Sequence, residues 1–239
     1  TAVKNKYYSK SYTFKGERKL ELSKNLSLGF GSDYNYTQGD FKVQGNWGSS
    51  AKGHMDNIGF FSNAGYKFNN DTILSAHLRV DSHKYSKEHL TYRLNATKYL
   101  SNFTFSLSES TGLRHPDLFV LHGSNPSGSY KAMKTTKPET SLTRELSIKY
   151  DFSNFVSLVS TVYDSSVSNV LNRSISTGGY NEIIDIEQKG FENSLSLGNE
   201  SKKLSFTSAL TKSRESSGRP QLRRPEQQYG IRYNQMFNS

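Results

Sequence analysis

The sequence feature that most constrains the fold is an alternation of apolar and polar residues that recurs between Leu20 and Leu210. In its clearest run the apolar positions are Leu26, Leu28, Phe30, Tyr34 and Tyr36, and the positions between them include Asn25, Ser27, Gly29, Gly31 and Asn35. Successive side chains of a strand point to opposite faces, so this pattern separates apolar from polar residues across a sheet. A helix would need apolar residues every three or four positions instead. The alternation therefore predicts an all-β chain.

The composition agrees with a sheet that is apolar on one face only. Hydrophobic residues make up 33% of the 239 residues, and no apolar stretch is long enough for a transmembrane helix. A membrane-spanning barrel is not excluded, because its lumen is polar. The formal net charge is +10, but the basic residues are scattered, so nucleic-acid binding is not expected. The chain has no cysteine, which excludes disulfides and thiolate metal ligands.

The alternating segments predict roughly twelve strands. The opening strands are residues 6–14, 17–22 and 26–36, followed by a glycine-rich segment at 37–57 that is predicted as a long loop with room for a small hairpin. Four strand pairs and a last strand follow: 58–68 with 72–80, 89–100 with 103–108, 141–150 with 155–163, 184–197 with 204–211, and 227–237.

The connections between these segments are of two kinds. Tight turns are predicted at 23–25, 69–71, 101–102, 151–154 and 198–201, whereas 37–57, 111–140 and 164–183 are predicted as long loops. Every second connection of an up-and-down sheet lies on the same side. Tyrosines and phenylalanines near the strand ends would form aromatic girdles. Short turns on one rim and long loops on the other predict an antiparallel up-and-down transmembrane β-barrel.

Four motifs lie on the borders of the predicted strands, in residues 108–118, 137–145, 163–192 and 220–228. Their defining positions are Arg114, Pro116, Pro138, Glu139, Glu145, Asn181, Lys189, Gly190, Glu192, Arg223, Arg224 and Gln227. In order and spacing they resemble the barrel of TonB-dependent outer-membrane transporters, and the fourth is most similar to the cobalamin-transporter branch. Residues 1–107 share only the strand rhythm.

The resemblance implies a barrel of about 22 strands that encloses an N-terminal plug. Residues 1–239 are then expected to be one partial barrel domain of about 12 strands, cut at both ends, with the plug and the final strands absent. The implied partners are outer-membrane lipid, a cobalamin or metal-chelate ligand, and the TonB complex, which acts through the plug. The implied location is the outer membrane of a Gram-negative bacterium, and the implied state is a monomer. The long loops 111–140 and 164–183 would capture the ligand.

Two other functional classes remain open from the residues alone. A passive porin or structural barrel would explain the alternation but not the order of the motifs. A soluble all-β adhesin or binding module would be recovered without detergent. No catalytic constellation is present, so neither an enzyme nor a cofactor is expected.

The candidate metal and charge sites are weakly indicated. His83 and His89 flank a loop and are interpreted as solvated loop ends rather than metal ligands. Asp33 and Asp40 could help to hold Ca²⁺, although ordinary turn carboxylates are the favoured interpretation. Charges expected to face the lumen, where they could contact the plug or an anionic chelate, are Arg79, Arg93, Glu145, Lys149 and Arg232. Arg144 and Lys98 fall on the apolar face near the strand ends, where their charged groups can reach the interface.

Overall fold

The computed structural model describes residues 5–43, 49–69, 71–124, 132–133, 137–173, 180–199, 201–221 and 224–236, with the side chains of 172–173 and 180–182 left out. The strands are β1 (Asn5–Glu21), β2 (Leu26–Val43), β3 (Ser49–Phe68), β4 (Thr72–His83), β5 (Lys87–Leu100), β6 (Phe103–Arg114), β7 (Gly123–Ser124), β8 (Glu139–Ser153), β9 (Val156–Arg173), β10 (Tyr180–Gly198), β11 (Lys202–Glu215) and β12 (Gln227–Gln235). A short helix, α1 (Leu118–His122), precedes β7. Across these ranges, no helix has the length and apolar character needed to span a membrane.

All twelve strands belong to one antiparallel sheet, and apart from β7 each strand pairs with the strands that precede and follow it in the sequence. The order runs from β1 to β6 and then from β8 to β12, and the two-residue β7 pairs with β3. Within the described ranges β1 and β12 do not pair with each other, so the sheet has two open edges. The predicted all-β, up-and-down antiparallel architecture is confirmed.

Tight turns join the strands at one rim, which we call the short-turn rim. The turns lie at residues 22–25, 69–71, 101–102, 154–155 and 199–201. Asn69 (φ 55°), Ser101 (φ 51°) and Gly198 (φ 115°) have the positive φ that such turns require. The opposite ends of the strands form the loop rim, and β4 and β5 are joined tightly there as well, by residues 84–86.

The strands of the first half extend beyond their predicted limits. Residues 6–14 and 17–22 were expected to be two strands, but β1 is continuous through Gly16, which pairs with Ser32 of β2. The prediction of a long loop at 37–57 is also wrong, because β2 and β3 pair out to Val43 and Ser49; the small hairpin left open there is in fact the end of this long strand pair. Glycine lowers strand propensity, but here the partner strand continues on either side of each glycine and the ladder is kept.

The predicted long loops of the second half are also partly strand. Residues 156–173 of β9 pair with residues 180–197 of β10, so most of 164–183 belongs to paired strands. Within 111–140, β6 continues to Arg114, and α1, β7 and the start of β8 follow. The remainder of these loops lies outside the described residues. β1 and β3 have 17 and 20 residues, more than the ~11 residues that a strand needs to cross a bilayer.

The two faces of the sheet differ as the alternation predicts. On the outer face apolar side chains are solvent-exposed, for example Leu107 at 58%, Leu146 at 42% and Val162 at 46%. A soluble monomer rarely exposes a continuous apolar surface of this extent. Near the short-turn rim, Tyr150 packs against Phe103 and Phe152 with ring centroids 4.4 and 4.5 Å apart. Such an aromatic cluster is typical of the edge of a lipid-facing band.

Candidate ligand site at the loop rim

The segment after β6 crosses the polar inner face of the sheet, and we call residues 115–124 the inner strap. Asp117 caps α1 by accepting a hydrogen bond from the Val120 amide at 2.8 Å. β7 then pairs with the end of β3, with Gly123 opposite Ala51 and Ser124 opposite Ser50. The strap therefore crosses β4 and β5 and pairs with β3, which lies three strands away from β6 in the sheet.

Two glycines make room for the strap on the inner face. Gly39 and Gly53 lie opposite each other in β2 and β3. A Cβ atom on Gly39 would come within 2.9 Å of Leu118 Cδ1, and one on Gly53 would lie 2.6 Å from His122 Nε2. Leu118 and Leu121 are buried, and their burial stabilises the packing of the strap against the sheet by roughly 3–5 kcal/mol. Both glycines were predicted to lie in a loop. They lie instead in paired strands, and their lack of a side chain leaves the space that α1 occupies.

A histidine pair joins the strap to the turn between β4 and β5. The rings of His83 and His115 are stacked with centroids 4.2 Å apart, at an interplanar angle of 11°. The Ser86 hydroxyl lies 2.9 Å from His83 Nδ1 and 2.7 Å from His115 Nδ1. The backbone carbonyl oxygen of Ser86 lies 2.7 Å from His89 Nε2. His83 is only 4% exposed, because His115 of the strap stacks on its ring. The prediction that His83 is a solvated loop end is therefore wrong. Within the described part of the chain, no three His, Cys, Asp or Glu residues form a metal-binding group.

Acidification should loosen the strap. Burial, and secondarily the neighbouring His83, lowers the pKa of His115 from 6.5 to about 4. Between these two pH values folded His115 stays neutral, whereas the unfolded residue takes up a proton. The contribution of His115 to the stability of the folded strap is therefore full above pH 6.5 and is lost as the pH falls towards about 4. We expect hydrogen exchange at 118–122 to increase over this range, and the increase should be smaller in His115→Phe, which keeps a ring on His83. Equal pH dependence of exchange in both proteins would refute this role of His115.

A cavity of about 520 Å³ lies between the strap and β8–β9. Its walls are Arg114, His115, Pro116, Asp117, Phe119, Val120, Lys137, Glu139, Asn169 and Leu171. Arg114 Nη1 donates to Glu139 Oε2 at 3.3 Å, and the Leu171 amide is 3.4 Å from Glu139 Oε1. Glu139 thus connects the ends of three strands. The cavity combines two cations, two carboxylates and apolar groups, which suits a ligand with both polar and apolar surface.

The structure brings part of the motif positions to this cavity. Arg114, Pro116 and Glu139 line it, and the buried Pro138 precedes Glu139. The others are distributed along the sheet. Glu145 accepts from the Ser108 hydroxyl at 3.1 Å on the inner face. Glu192 lines a second inner-face cavity, of about 720 Å³, together with Pro225.

The remaining motif positions lie at strand edges or outside the description. Lys189 forms an ion pair with Asp164 on the outer face, with 3.2 Å between Nζ and Oδ2. Arg224 and Gln227 lie at the entry to β12. Arg223 and the side chain of Asn181 lie outside the described residues.

The ring of Tyr163 packs so closely on Gly190 that a side chain at residue 190 would not fit. The Tyr163 ring covers it, with ring atom Cε1 2.5 Å from where a Cβ would be, and the Tyr163 hydroxyl lies 3.0 Å from Thr211 Oγ1. Gly190→Ala should displace the ring and lower the free energy of unfolding by about 1–3 kcal/mol. Gly16→Ala is the matched control, since nothing lies within 4 Å of its Cβ position. Equal thermal midpoints for the two variants in detergent would contradict this reading of Gly190.

Among the lumen-facing charges, Arg79 is the most constrained. Its guanidinium lies 2.6 Å from Asp33 Oδ2 and 2.6 Å from Asp81 Oδ1, and Asn57 donates to Asp81 at 2.8 Å. The two carboxylates considered for Ca²⁺, Asp33 and Asp40, are not brought together. Asp33 is held by Arg79, and Asp40 instead lies 3.8 Å from Lys6 Nζ. Neither carboxylate is in a turn, because both belong to β2.

The other charges take the sides predicted from the alternation. Lys149 forms an ion pair with Asp151 at 2.8 Å on the inner face. The register also places Arg93 and Arg232 on that face. On the outer face, Arg144 contacts Glu109 at 2.6 Å and Lys98 contacts Asp71 at 2.6 Å. The two outward cations are therefore neutralised by carboxylates on neighbouring elements, in addition to lying near strand ends.

The fold matches parts of solved receptors and transporters. The siderophore receptor PirA of Pseudomonas aeruginosa aligns with TM-score 0.73 and 17% identity over 87% of this chain and 43% of its own. For the copper transporter OprC the values are 0.72, 15%, 92% and 39%. For the FrpB iron transporter of Neisseria meningitidis they are 0.65, 14%, 88% and 36%. The chain thus spans less than half the length of these structures.

The sequence comparison identifies the family. No protein with a curated description matches the sequence significantly. The model of the family described as "TonB dependent receptor-like, beta-barrel" matches residues 1–238. Proteins of this family are transporters rather than enzymes, in agreement with the lack of a catalytic constellation in the sequence. The chain therefore belongs to the TonB-dependent receptor-like β-barrel family.

Proposed function

We propose that this chain is a wall segment of a receptor that takes up a scarce, bulky nutrient across the outer membrane of a Gram-negative bacterium, with energy from the TonB complex. The family match and the exposed apolar outer face support this function. This segment lines the ligand entrance and the polar lumen. The nutrient passes through without chemical change. The plug and the TonB contact would belong to parts of the receptor beyond residues 1–239, and the receptor would act as a monomer.

The observation that carries the proposal is the cavity at the loop rim. Both segments expected to capture ligand, 111–140 and 164–183, contribute to its walls, through Phe119 and Val120 on one side and Asn169 and Leu171 on the other. Arg114, Lys137 and His115 supply positive or polar groups beside these apolar ones, and the lining also holds the carboxylates of Asp117 and of Glu139, which is paired with Arg114. We infer that the cavity takes an anionic metal chelate of the ferric-siderophore class. The iron, copper and siderophore transport named for the structural neighbours supports a metal-containing ligand.

Filling the cavity tests its role. Val120→Trp in the intact receptor should weaken binding of a ferric siderophore by about tenfold or more, since the indole would occupy the space of the ligand. Leu22→Trp is the control, because Leu22 is 56% exposed at the short-turn rim. Uptake of iron-55 siderophore and direct binding by intact cells would be measured for both. Unchanged binding in Val120→Trp would remove the cavity from the ligand path.

The dependence on TonB separates the proposed function from a passive pore. Uptake should cease in a strain without TonB, whereas a porin or structural barrel would be unaffected. Cobalamin remains a prediction of the fourth motif alone. Radiolabelled cobalamin should be tested beside the siderophore, and uptake of cobalamin but not of iron would assign the cavity to the other ligand class.

A further inference from the structure

The main-chain ladder between β5 and β6 stops short of the loop rim. Among the described residues it ends at the pair Arg93–Ser110, although both strands continue towards that rim. The neighbouring ladders run on, since the β4–β5 and β6–β8 pairings reach the loop-rim ends of β5 and β6. We call the stretch without a ladder, residues 87–92 of β5 and 111–114 of β6, the seam. The seam is therefore a local interruption of the wall between two strand pairs that are complete on either side of it.

A cavity of about 270 Å³ lies in the seam. Its lining comes from both faces of the sheet: His89 and Thr91 belong to the inner face of β5, whereas Leu90 and Leu113 belong to the outer face. The next residue along β6, Arg114, lines the 520 Å³ ligand cavity at the loop rim. A wider seam would therefore join the ligand cavity to the outer surface of the wall.

Side-chain contacts close the seam at both of its ends. At the end nearer the short-turn rim, Thr111 Oγ1 accepts from the Tyr92 amide at 2.8 Å and donates to the Tyr92 carbonyl oxygen at 3.4 Å. At the loop-rim end, His115 follows the last residue of β6, stacks on His83 at the end of β4, and shares the Ser86 hydroxyl with it. We call these three residues the histidine latch. It joins the end of β6 to the β4–β5 hairpin, where the main chain does not.

The hydrogen bonds of the histidine latch require two neutral rings. His83 Nδ1 accepts from the Tyr85 amide at 3.3 Å, so the Ser86 hydroxyl donates to His83 and accepts from Nδ1–H of His115. A proton on His83 Nδ1 would remove the acceptor of both hydrogen bonds. His115 Nε2 is buried without a hydrogen-bond partner among the described residues, so a proton there would add an unsatisfied N–H. Two protonated rings with centroids 4.2 Å apart would also repel each other.

The charged groups around the histidine latch come from three strands and from the strap itself. They are Asp56 of β3, Arg79 and Asp81 of β4, and His89 of β5, with Arg114 and Asp117 flanking His115 in the chain. The carboxylates of Asp56 and Asp81 favour protonated rings, but burial is the larger effect and lowers the pKa of both His83 and His115. Protons therefore bind more tightly when the latch is open. For His115 alone, with a pKa of 6.5 in the open and about 4 in the closed latch, the ratio of open to closed molecules rises by about 30-fold between about pH 7.5 and about pH 5.

We propose that the seam is a side opening in the wall, which the histidine latch keeps closed at neutral pH and which opens when the latch takes up protons. Opening separates β5 from β6, releases the strap from the β4–β5 turn, and joins the ligand cavity to the outer surface. A ligand held against the strap would then leave the cavity under acid conditions. This last consequence rests on the proposed function, whereas the opening of the seam depends only on the wall.

The test measures a distance across the seam in the intact receptor, purified in detergent. Spin labels are attached to Leu90→Cys on β5 and Thr140→Cys on β8, which is paired with β6 throughout this region. Pulsed electron paramagnetic resonance should show the distance between the labels lengthening by about one strand spacing, ~5 Å, between about pH 7.5 and about pH 5. A control pair, Ala96→Cys with Leu146→Cys, lies on the same two strands where the ladders through Leu107 are intact, and its distance should stay constant.

Two histidine variants identify the group that opens the seam. His115→Phe keeps a ring on His83 but takes up no proton, so most of the lengthening should be lost. His77→Phe is the matched control, because His77 is an exposed histidine of β4 opposite Arg93, away from the latch, and it should lengthen like the wild type. A constant distance in the wild type, equal lengthening in His115→Phe, or lengthening of both label pairs would overturn the proposal. Unchanged ligand binding in Val120→Trp would instead refute the proposed function and leave the distances across the seam as they are.

Discussion

Replacing Arg79 with methionine should destabilise the barrel wall by about 2–4 kcal/mol, because it leaves two buried carboxylates without their shared cation. The side chains of Asp33 and Asp81 are only 10% and 7% exposed, and both contact the guanidinium at 2.6 Å. Removing one partner of a buried ion pair costs more than the pair itself contributes, since the remaining charge loses its compensation. Arg79 is 33% exposed, so the expected loss lies below that for a fully buried ion pair.

The measurement is the thermal midpoint of the intact receptor in detergent. Arg93→Met is the matched control: Arg93 faces the lumen from the next strand, and within the described part of the chain it has no ion pair. Adding Asp33→Asn and Asp81→Asn to the Arg79 variant should restore most of the loss, because neutral amides need no cation. A loss as small as that of Arg93→Met would show that the three charged groups do not act as a unit.

Residues 1–239 produced alone, in water without detergent, should not fold cooperatively. The sheet leaves β1 and β12 without strand partners in the described ranges, and its outer face exposes side chains such as Leu90 at 63% and Ile231 at 74%. Unpaired strand edges promote edge-to-edge association, and a lipid-facing edge is not tolerated in a bilayer. The expected product is an aggregate in place of a monomer.

Circular dichroism across a urea series, together with sedimentation, would test this. The isolated chain should sediment as aggregate at low urea and lose its signal gradually, and detergent should improve its solubility. A monomeric species with a sharp unfolding transition in detergent-free buffer would contradict the assignment of the apolar face to lipid.

The period of two in the sequence was sufficient to predict the sheet, its two faces and the tight turns. Strand partners in an up-and-down sheet are sequence neighbours, so a turn such as Asn69–Asp71 specifies both the connection and the pairing. For the same reason, the inward side of Arg79, Glu145 and Lys149 followed from alternation alone.

The strand ends at the loop rim could not be predicted in the same way. Glycine breaks strands in many proteins, but the strand ladder pairs Gly39 with Gly53, and α1 packs over both of them. A pair of glycines on the same face of adjacent strands is the signal that could have indicated a segment lying over them.

Contacts between distant residues were also beyond the sequence. Asp33 and Arg79 are separated by 46 positions. The registers of β2, β3 and β4 place Asp33 level with Asp81 across Gly59, and Arg79 lies two residues away on the same face of β4. The motif positions Arg114 and Glu139 were predicted separately at two strand ends. Their ion pair and the cavity around it follow from the pairing of β6 with β8, which the long intervening segment did not specify.

The central claim is that the sheet is a membrane wall whose loop rim faces the outside of the cell. The chain has no cysteine, so single cysteines can be introduced without background from this segment. Lys84→Cys, in the turn between β4 and β5, and Asn102→Cys, in the turn between β5 and β6, place one thiol at each rim. A membrane-impermeant maleimide should label Lys84→Cys on intact cells and Asn102→Cys only after the outer membrane is opened. Labelling of both thiols on intact cells, or of Asn102→Cys alone, would contradict the account.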